Sequence, residues 1–404
     1  EFLKLWSVRG YSDFSVVIIK LDFFEEIHNS LGYETSDKIL KKASEKISKN
    51  IDNQVLISKG INDSFVLYFT NTSLATLEQK IEALIVDLSK AYCIDTFEFN
   101  LTASAGVVHY QTSELFDFKL NLQQANIALE KSTDLGGNQV HFYHQSMDDK
   151  HNEIVTIRNN LHIALKNNEL EVFYQPIHNL NGNQIIGVEA LVRWSCNDEW
   201  ISPAKFIPVA ETTGQIVQVG KQVLDKVLHD IKKYSQLQNI TVAVNFSTKQ
   251  IIKDNFLFDL LHLLTQNNIT YNNFTVEVTE SSFQEKTSIE KTLRELINSG
   301  LNVAIDDFGT GFSSLSYLAN QPANIIKIDR EFTLGAYKDT KERKLLDTII
   351  KVCYDLGKKV VVEGVEDEKL ITHLSRYKDI RIQGYFFSKP LPVDHLIEYI
   401  RVAQ

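Results

Sequence analysis

Asn302-Val303-Ala304-Ile305-Asp306-Asp307-Phe308, followed by Ile325-Ile326-Lys327-Ile328-Asp329, decides how this 404-residue chain is read. Each run is apolar at first and turns charged near its end, as a buried parallel strand does where it leaves a barrel. Six more runs share the β-prone character: Glu171–Ile177, Ile185–Trp194, Ile240–Phe246, Phe274–Thr279, Lys359–Glu363 and Ile382–Phe386. Helical patterns such as Ser288–Ser299 and Lys341–Leu356 separate most of them, and the stretch between the second and third runs has room for more than one helix. Eight strands alternating with helices over about 235 residues is the size and order of a TIM-type (β/α)8 barrel, within the α/β class. A doubly wound open sheet is the alternative; the strand count favours the barrel.

Polar residues fall at or near the ends of these runs: Gln175, Glu189, Asn245, Glu277, Asp306 with Asp307, Lys327 with Asp329, Glu363 and Gln383. Strand C-terminal ends share one mouth of a barrel, so groups scattered over some 200 positions are expected to converge there. A lone glutamate ending a strand is ordinarily a solvated cap, Asp306-Asp307 alone reads as a turn, and Lys327 alone reads as a partner of Asp329. Their coincidence at successive strand ends points to a site.

Carboxylates brought that close raise one another's pKa unless a divalent cation compensates. Oxygen ligands from Glu, Asp and Asn suit Mg²⁺ or Mn²⁺, not zinc. Adjacent Asp306 and Asp307 offer a way to contact two ions, and paired ions ~3.5–4 Å apart are a known device for in-line phosphoryl displacement. The residues therefore support metal-assisted hydrolysis of a phosphate ester.

The bulk numbers agree with two soluble domains. The chain exceeds what one core usually serves, and 43% hydrophobic with 23% charged residues is ordinary for a globular protein. A net charge of −10, from 42 basic and 52 acidic residues, argues against DNA as a partner. Three isolated cysteines, Cys93, Cys196 and Cys353, suggest neither a disulfide framework nor a zinc site and fit a reducing cytoplasm. No run reaches the ~18 apolar residues of a membrane helix. We expect a cytoplasmic protein, or the cytoplasmic part of a larger membrane-anchored one.

Residues 1–145 have another rhythm. Val16–Ile19 reads as a strand, helices follow around Ile27–Leu31 and Ser36–Ile47, and Val55–Ile57 with Phe65–Phe69 reads as a hairpin. A helix near 74–90, strands around Thr96–Val108 and a helix over Leu120–Lys131 complete an α+β domain. Residues 146–168 are expected to form a helical linker, with the barrel over 169–404.

At this point the residues match a family. Over about residues 150–400 the chain resembles the bacterial EAL phosphodiesterases. The resemblance rests on Tyr174-Gln175-Pro176-Ile177, Glu189-Ala190-Leu191-Val192-Arg193-Trp194, Val244-Asn245-Phe246-Ser247 and Glu277-Val278-Thr279-Glu280. It continues through Asp306-Asp307-Phe308-Gly309-Thr310-Gly311, Ile326-Lys327-Ile328-Asp329, Glu363-Gly364-Val365-Glu366 and Gln383-Gly384-Tyr385. It implies a barrel hydrolysing cyclic di-GMP to linear pGpG with two Mg²⁺ or Mn²⁺ ions. By the same resemblance, Glu189, Asn245, Glu277 and Asp306 look like ligands of one ion, with Asp306 bridging to a second that Asp307 helps to hold. Lys327 would orient the attacking water or stabilise phosphate charge, and Glu363 would be the general base beside whatever the metals contribute. Gln175 and Arg193 would hold the substrate, and Gln383 would line the same site. Glu280 would brace the loop Phe308–Ser314, which the family uses to couple dimerisation with metal binding. A homodimer through this domain is the family expectation.

Residues 1–145 resemble the GGDEF diguanylate cyclase domain as a worn copy. Ile61-Asn62-Asp63-Ser64-Phe65 stands where the family has GGDEF, losing both glycines and one acid. Lys20, in Ile19-Lys20-Leu21-Asp22, stands where the family places its first metal-binding Asp. His28 and Asn29 replace the helix-start asparagine and aspartate, and Asp52-Asn53-Gln54-Val55 lacks the RxxD inhibitory pattern. Gly32-Tyr33, Ser104-Ala105-Gly106, Ala125-Asn126 and Gly136-Gly137-Asn138 survive as fold markers. Cyclase activity is not expected, and a regulatory or dimerising role is. Binding of GTP or another nucleotide there stays open, with Lys20 facing a phosphate, Asp22 or Asp63.

Two rivals remain at this level. One is a catalytically silent cyclic di-GMP receptor signalling to a protein partner; the retained acids Glu189, Glu277, Asp306, Asp307 and Glu363 speak against it. The other is a scaffold whose acids are merely solvated.

Overall fold

The computed structural model describes residues 13–52, 55–60, 63–111, 117–180, 184–283, 287–309 and 315–403. The chain divides into two compact units, residues 1–155 and 156–404. The division falls inside the helix Gln145–Asn167.

The first unit is built on a five-stranded sheet. Its order is Leu56–Lys59, Ser64–Thr70, Asp13–Leu21, Ala103–Gln111 and Val140–Phe142. The unbroken apolar run Val16–Ile19 is explained by burial on both faces. Val17 and Ile19 pack with Ile39, Ala43, Leu77 and Ile81 from helices Phe24–Asn50 and Leu74–Leu88. Val16 and Ile18 pack with Ala125 and Leu129 of Phe118–Asp134. The two helices read near Ile27 and Ser36 are one, kinked at Gly32, whose φ of 76° breaks the helical path.

In the second unit eight strands close a ring. The order is Gln184–Cys196, Thr241–Asn245, Phe274–Thr279, Asn302–Phe308, Ile325–Ile328, Lys359–Val362, Arg381–Ile382 and Leu170–Asn179, which pairs back to Gln184–Cys196. Helices such as Ile216–Lys233, Thr287–Asn298 and Thr340–Asp355 accompany the strands. Val223, Val227, Leu293, Leu296, Ile350 and Cys353 are buried in the surrounding core.

One feature departs from a uniformly parallel (β/α)8 barrel. Leu170–Asn179 runs antiparallel to both neighbours. It joins Gln184–Cys196 across four residues, and a parallel pairing needs a crossover of a dozen or more. Gln175 therefore reaches the site from the middle of a reversed strand, opposite Glu189.

The barrel interior is layered. Ile177, Ala304, Ile325 and Val361 form an apolar plug, with Ile186 against it. One step along the same inward faces come Gln175, Glu189, Glu277, Asp306, Lys327 and Glu363. The polar groups thus lie on a dry floor.

Candidate active site

Lys327 occupies the centre of the polar layer and is 1% exposed. Its ammonium lies 2.9 Å from Asp306 Oδ1, 2.9 Å from Glu363 Oε1, 3.0 Å from Glu189 Oε2 and 3.1 Å from Glu277 Oε2. It partners these four acids, three on strands and Glu363 directly after a fourth; Asp329 instead caps helix Arg330–Lys338. Glu189 is the most firmly held acid. Gln383 Nε2 donates to its Oε2 at 2.7 Å and Asn245 Nδ2 to its Oε1 at 2.8 Å. Gln383 also donates to Gln175 Oε1, and Gln175 donates to the Ser388 carbonyl. The supporting role of Ser388 had no sequence signal.

Asp306 and Asp307 are neighbours on one strand, where alternation would send one side chain away from the site. A β-bulge between Ile305 and Phe308 sets the pair opposite the single residue Lys327. Asp307 takes the left-handed conformation at φ 53°, a strained backbone for an aspartate. Gly309 follows at φ 101°; a side chain there would also collide with the Phe332 ring. Glu280 Oε2 accepts the Gly309 N–H at 2.7 Å and so braces the start of the loop. Residues 310–314 of that loop lie outside the described residues.

The electrostatics follow from five acids around one ammonium. Burial, reinforced by neighbouring acids against the pull of Lys327, raises Glu277 well above the usual carboxylate range and raises Asp306. Burial opposed by Lys327 leaves Glu363 pushed up to about 8. Asp307, at the rim, is pushed up to about 6 by desolvation and by Asp306 beside it; its contact with solvent softens that shift. Burial would raise Glu189 too, but Lys327, Gln383 and Asn245 outweigh it and hold the group below its ordinary value. Burial disfavours the Lys327 ammonium, yet the four acids raise its pKa well above that of a free lysine.

One lysine cannot balance this ring. The surplus must be met by protons or by a cation. Carboxylate oxygens of Glu189, Glu277 and Asp306 lie within 4.8 Å of one another, and so do those of Asp306, Asp307 and Glu363. The two triplets share Asp306. Asp306 Oδ1 is buried, with the crowded Lys327 ammonium 2.9 Å away as its close partner. These residues fit divalent cations with oxygen ligands. A cavity of about 560 Å³ opens over them, lined by Asn245, Asp306, Asp307, Leu191, Arg193 and Lys249 among others.

The corresponding region of the first unit is built differently. Lys20 Nζ lies 3.7 Å from Asp63 Oδ1 and 4.0 Å from Glu25 Oε1. Asp22 instead accepts Thr102 Oγ1 and Ser104 Oγ at 2.7 Å and the Asn138 N–H at 2.9 Å. Asp63 faces a lysine, with its Oδ2 buried without a hydrogen bond, and Asp22 is saturated with donors, so this site offers a divalent cation fewer free carboxylate oxygens than the barrel does. Ile61, Asn62, Asn53 and Gln54 lie outside the described residues.

Comparisons with known proteins agree with this architecture. The EAL domain family matches residues 158–390, and the diguanylate cyclase GGDEF domain family matches residues 4–139. The bifunctional diguanylate cyclase/cyclic di-GMP phosphodiesterase MucR of Pseudomonas aeruginosa is 30% identical over 395 residues, 97% of this chain and 58% of that protein. The cyclic di-GMP phosphodiesterase NbdA of the same organism is 30% identical over 419 residues, 99% of this chain and 52% of that protein. The chain thus spans about half the length of these curated relatives. The solved PaMucR phosphodiesterase in complex with c-di-GMP is 33% identical with a TM-score of 0.56, covering 60% of this chain and 99% of that one. No helix among the described residues is long and apolar enough to cross a membrane. The chain belongs to the EAL-domain family and carries that domain behind a GGDEF domain.

Proposed function

We propose that the barrel hydrolyses cyclic di-GMP to linear pGpG with two Mg²⁺ or Mn²⁺ ions, and that the first domain controls or dimerises it without making cyclic di-GMP. The observation that carries this reading is the pair of carboxylate triplets sharing Asp306. Glu189, Asn245, Glu277 and Asp306 would hold one ion, and Asp306 with Asp307 the other. When bound, such ions lower the pKa of a water and offset phosphate charge.

The remaining steps belong to the chain's own groups. Arg193 and Gln175 hold the substrate, Arg193 through a phosphate oxygen. Gln383 fixes Glu189. Glu363 takes the proton of the attacking water, a task suited to a carboxylate whose pKa is lifted toward neutrality. Water oxygen bonds to phosphorus, the P–O3′ ester bond breaks, the leaving 3′ oxygen takes a proton from solvent, and the ring opens to a linear dinucleotide with a 5′-phosphate and a free 3′-hydroxyl. Lys327 presents a fixed charge to the developing phosphorane. Glu280 holds the Gly309 N–H and so braces the start of the loop that follows Asp307.

The test is turnover of cyclic di-GMP with Mg²⁺ or Mn²⁺, comparing wild type with Glu189→Gln. We expect linear pGpG from wild type and a loss of ~10²-fold or more in the variant. Cyclic di-GMP bound yet unchanged over hours would favour a silent receptor. Product from GTP and Mg²⁺ would contradict the assignment of the first domain.

A further inference from the structure

The hairpin that carries Glu189 and Gln175 continues beyond the carboxylate layer, and its register orders a second set of side chains. Antiparallel partners share a face, and residues two apart on a strand share it as well. Gln175 pairs with Glu189, Phe173 with Leu191 and Glu171 with Arg193. A two-residue turn, Asn197-Asp198 with φ of 53° and 64°, returns the chain, as both positive angles favour in a tight hairpin. It sets Trp200 opposite Ser195. Trp200, Arg193 and Phe173 therefore stand on the face that presents Glu189.

The side chains touch in sequence. The Trp200 and Phe173 rings meet edge to face at 5.5 Å, and the Arg193 guanidinium lies 5.7 Å from the Phe173 ring centre. Arg193 Nη1 also donates to the Val192 carbonyl at 2.8 Å. Trp200 is 56% exposed on a three-residue edge strand, so its contribution to the core is small. Arg193 and Leu191 line the same cavity as Asp306 and Asp307. One pair of residues along a strand is ~7 Å, so Phe173 begins about a nucleotide's reach from the carboxylates.

We propose that Phe173 and Trp200 form an aromatic platform that steadies Arg193 and takes a purine base of the substrate while its phosphate sits at the carboxylates. This deepens, and rests on, the assignment of cyclic di-GMP as substrate. The platform sets affinity and base preference and performs no bond-making step. Aromatic rings suit this because every base offers a π-face, and the guanidinium adds a cation against both ring and phosphate.

The experiment is steady-state kinetics of the full chain on cyclic di-GMP with Mn²⁺, for wild type, Trp200→Ala, Trp200→Tyr and Phe173→Leu. Thermal melts with and without Mn²⁺ accompany each variant. We expect Trp200→Ala and Phe173→Leu to raise KM ~5- to 30-fold, the scale of losing one stacked base, with kcat changing less. Trp200→Tyr should recover most of the loss, and the Mn²⁺-induced rise in Tm should persist in every variant. KM within two-fold of wild type, or equal falls in kcat and kcat/KM, overturns the platform, as does a change in oligomeric state without a change in KM. A wild-type chain that neither binds nor turns over cyclic di-GMP sinks the substrate assignment and this subsite with it; turnover with unmoved KM sinks the platform alone.

Discussion

Lys20 in the first domain and Lys327 in the barrel each sit among acids, and they come to opposite states. In the first domain Lys20 meets the buried Asp63 and the exposed Glu25, so one lysine faces one buried acid and water screens the other. In the barrel Lys327 meets four carboxylates, with Asp307 a fifth nearby. The lysine is the same; the surplus differs. A balanced pair has little use for a divalent cation, whereas an acid ring with one ammonium leaves negative charge that burial makes costly. The contrast teaches that counting acids is insufficient, because what each acid already faces decides whether a metal is invited.

The largest effect should come from removing the lysine at the crowded centre. Lys327→Ala is expected to keep cyclic di-GMP binding, measured by calorimetry, and to lower turnover by ~10²-fold or more. Near-normal turnover would take Lys327 out of the mechanism. The same variant without metal should melt lower than wild type, and Mg²⁺ should recover much of that loss because cations can replace the missing charge.

A smaller effect should follow in the first domain. Lys20→Ala leaves Asp63 buried without its lysine, and Asp63 Oδ2 already has no hydrogen bond. Lys20 is partly solvated, so we expect a destabilisation of only about 1 kcal/mol in denaturant unfolding. Mg²⁺ should not restore it. A Mg²⁺-dependent recovery would show that the two sites are more alike than their contacts suggest.

The subtlest difference lies in pH. Glu277, Asp306 and Glu363 are raised, so the folded, cation-free barrel keeps protons that the unfolded chain releases near pH 4. Their contribution is therefore fullest below that range and is lost as pH rises toward about 8, the value for Glu363. Glu189, which is lowered, works in the opposite sense and loses its contribution in acid. Cations compete with the retained protons, so the Mn²⁺-induced rise in Tm should grow from pH 6 to pH 8.5. A constant rise across that range would mean that the acids are ionised without metal.

Much of this is legible in the sequence alone. Runs such as Phe274–Thr279 and Lys359–Glu363 announce themselves by apolar residues followed by an acid, and a closed barrel makes their ends converge. The reversal of Leu170–Asn179 is written in its short link to the next strand, too short for a helical crossover, although the alternation of strands and helices does not by itself show it. The joint use of Asp306 and Asp307 was harder to foresee. It depends on a bulge and a left-handed aspartate, and local propensity disfavours both. Nor does a list of acids show that Lys327 touches four of them, since that follows from ring closure over strands far apart in sequence. The first domain was legible in its sheet and helices, whereas the choice of Asp63 over Asp22 as the partner of Lys20 needed the donors from Thr102, Ser104 and Asn138.

We infer that charge surplus draws two divalent cations into the barrel and none into the first domain. Calorimetric titration of the full chain with Mn²⁺ tests it most directly, with Asp306→Asn as the comparison. We predict two ions per chain in wild type and weakening of both in the variant, because Asp306 belongs to both triplets. An absence of binding in wild type, or two ions held unchanged by Asp306→Asn, would contradict it.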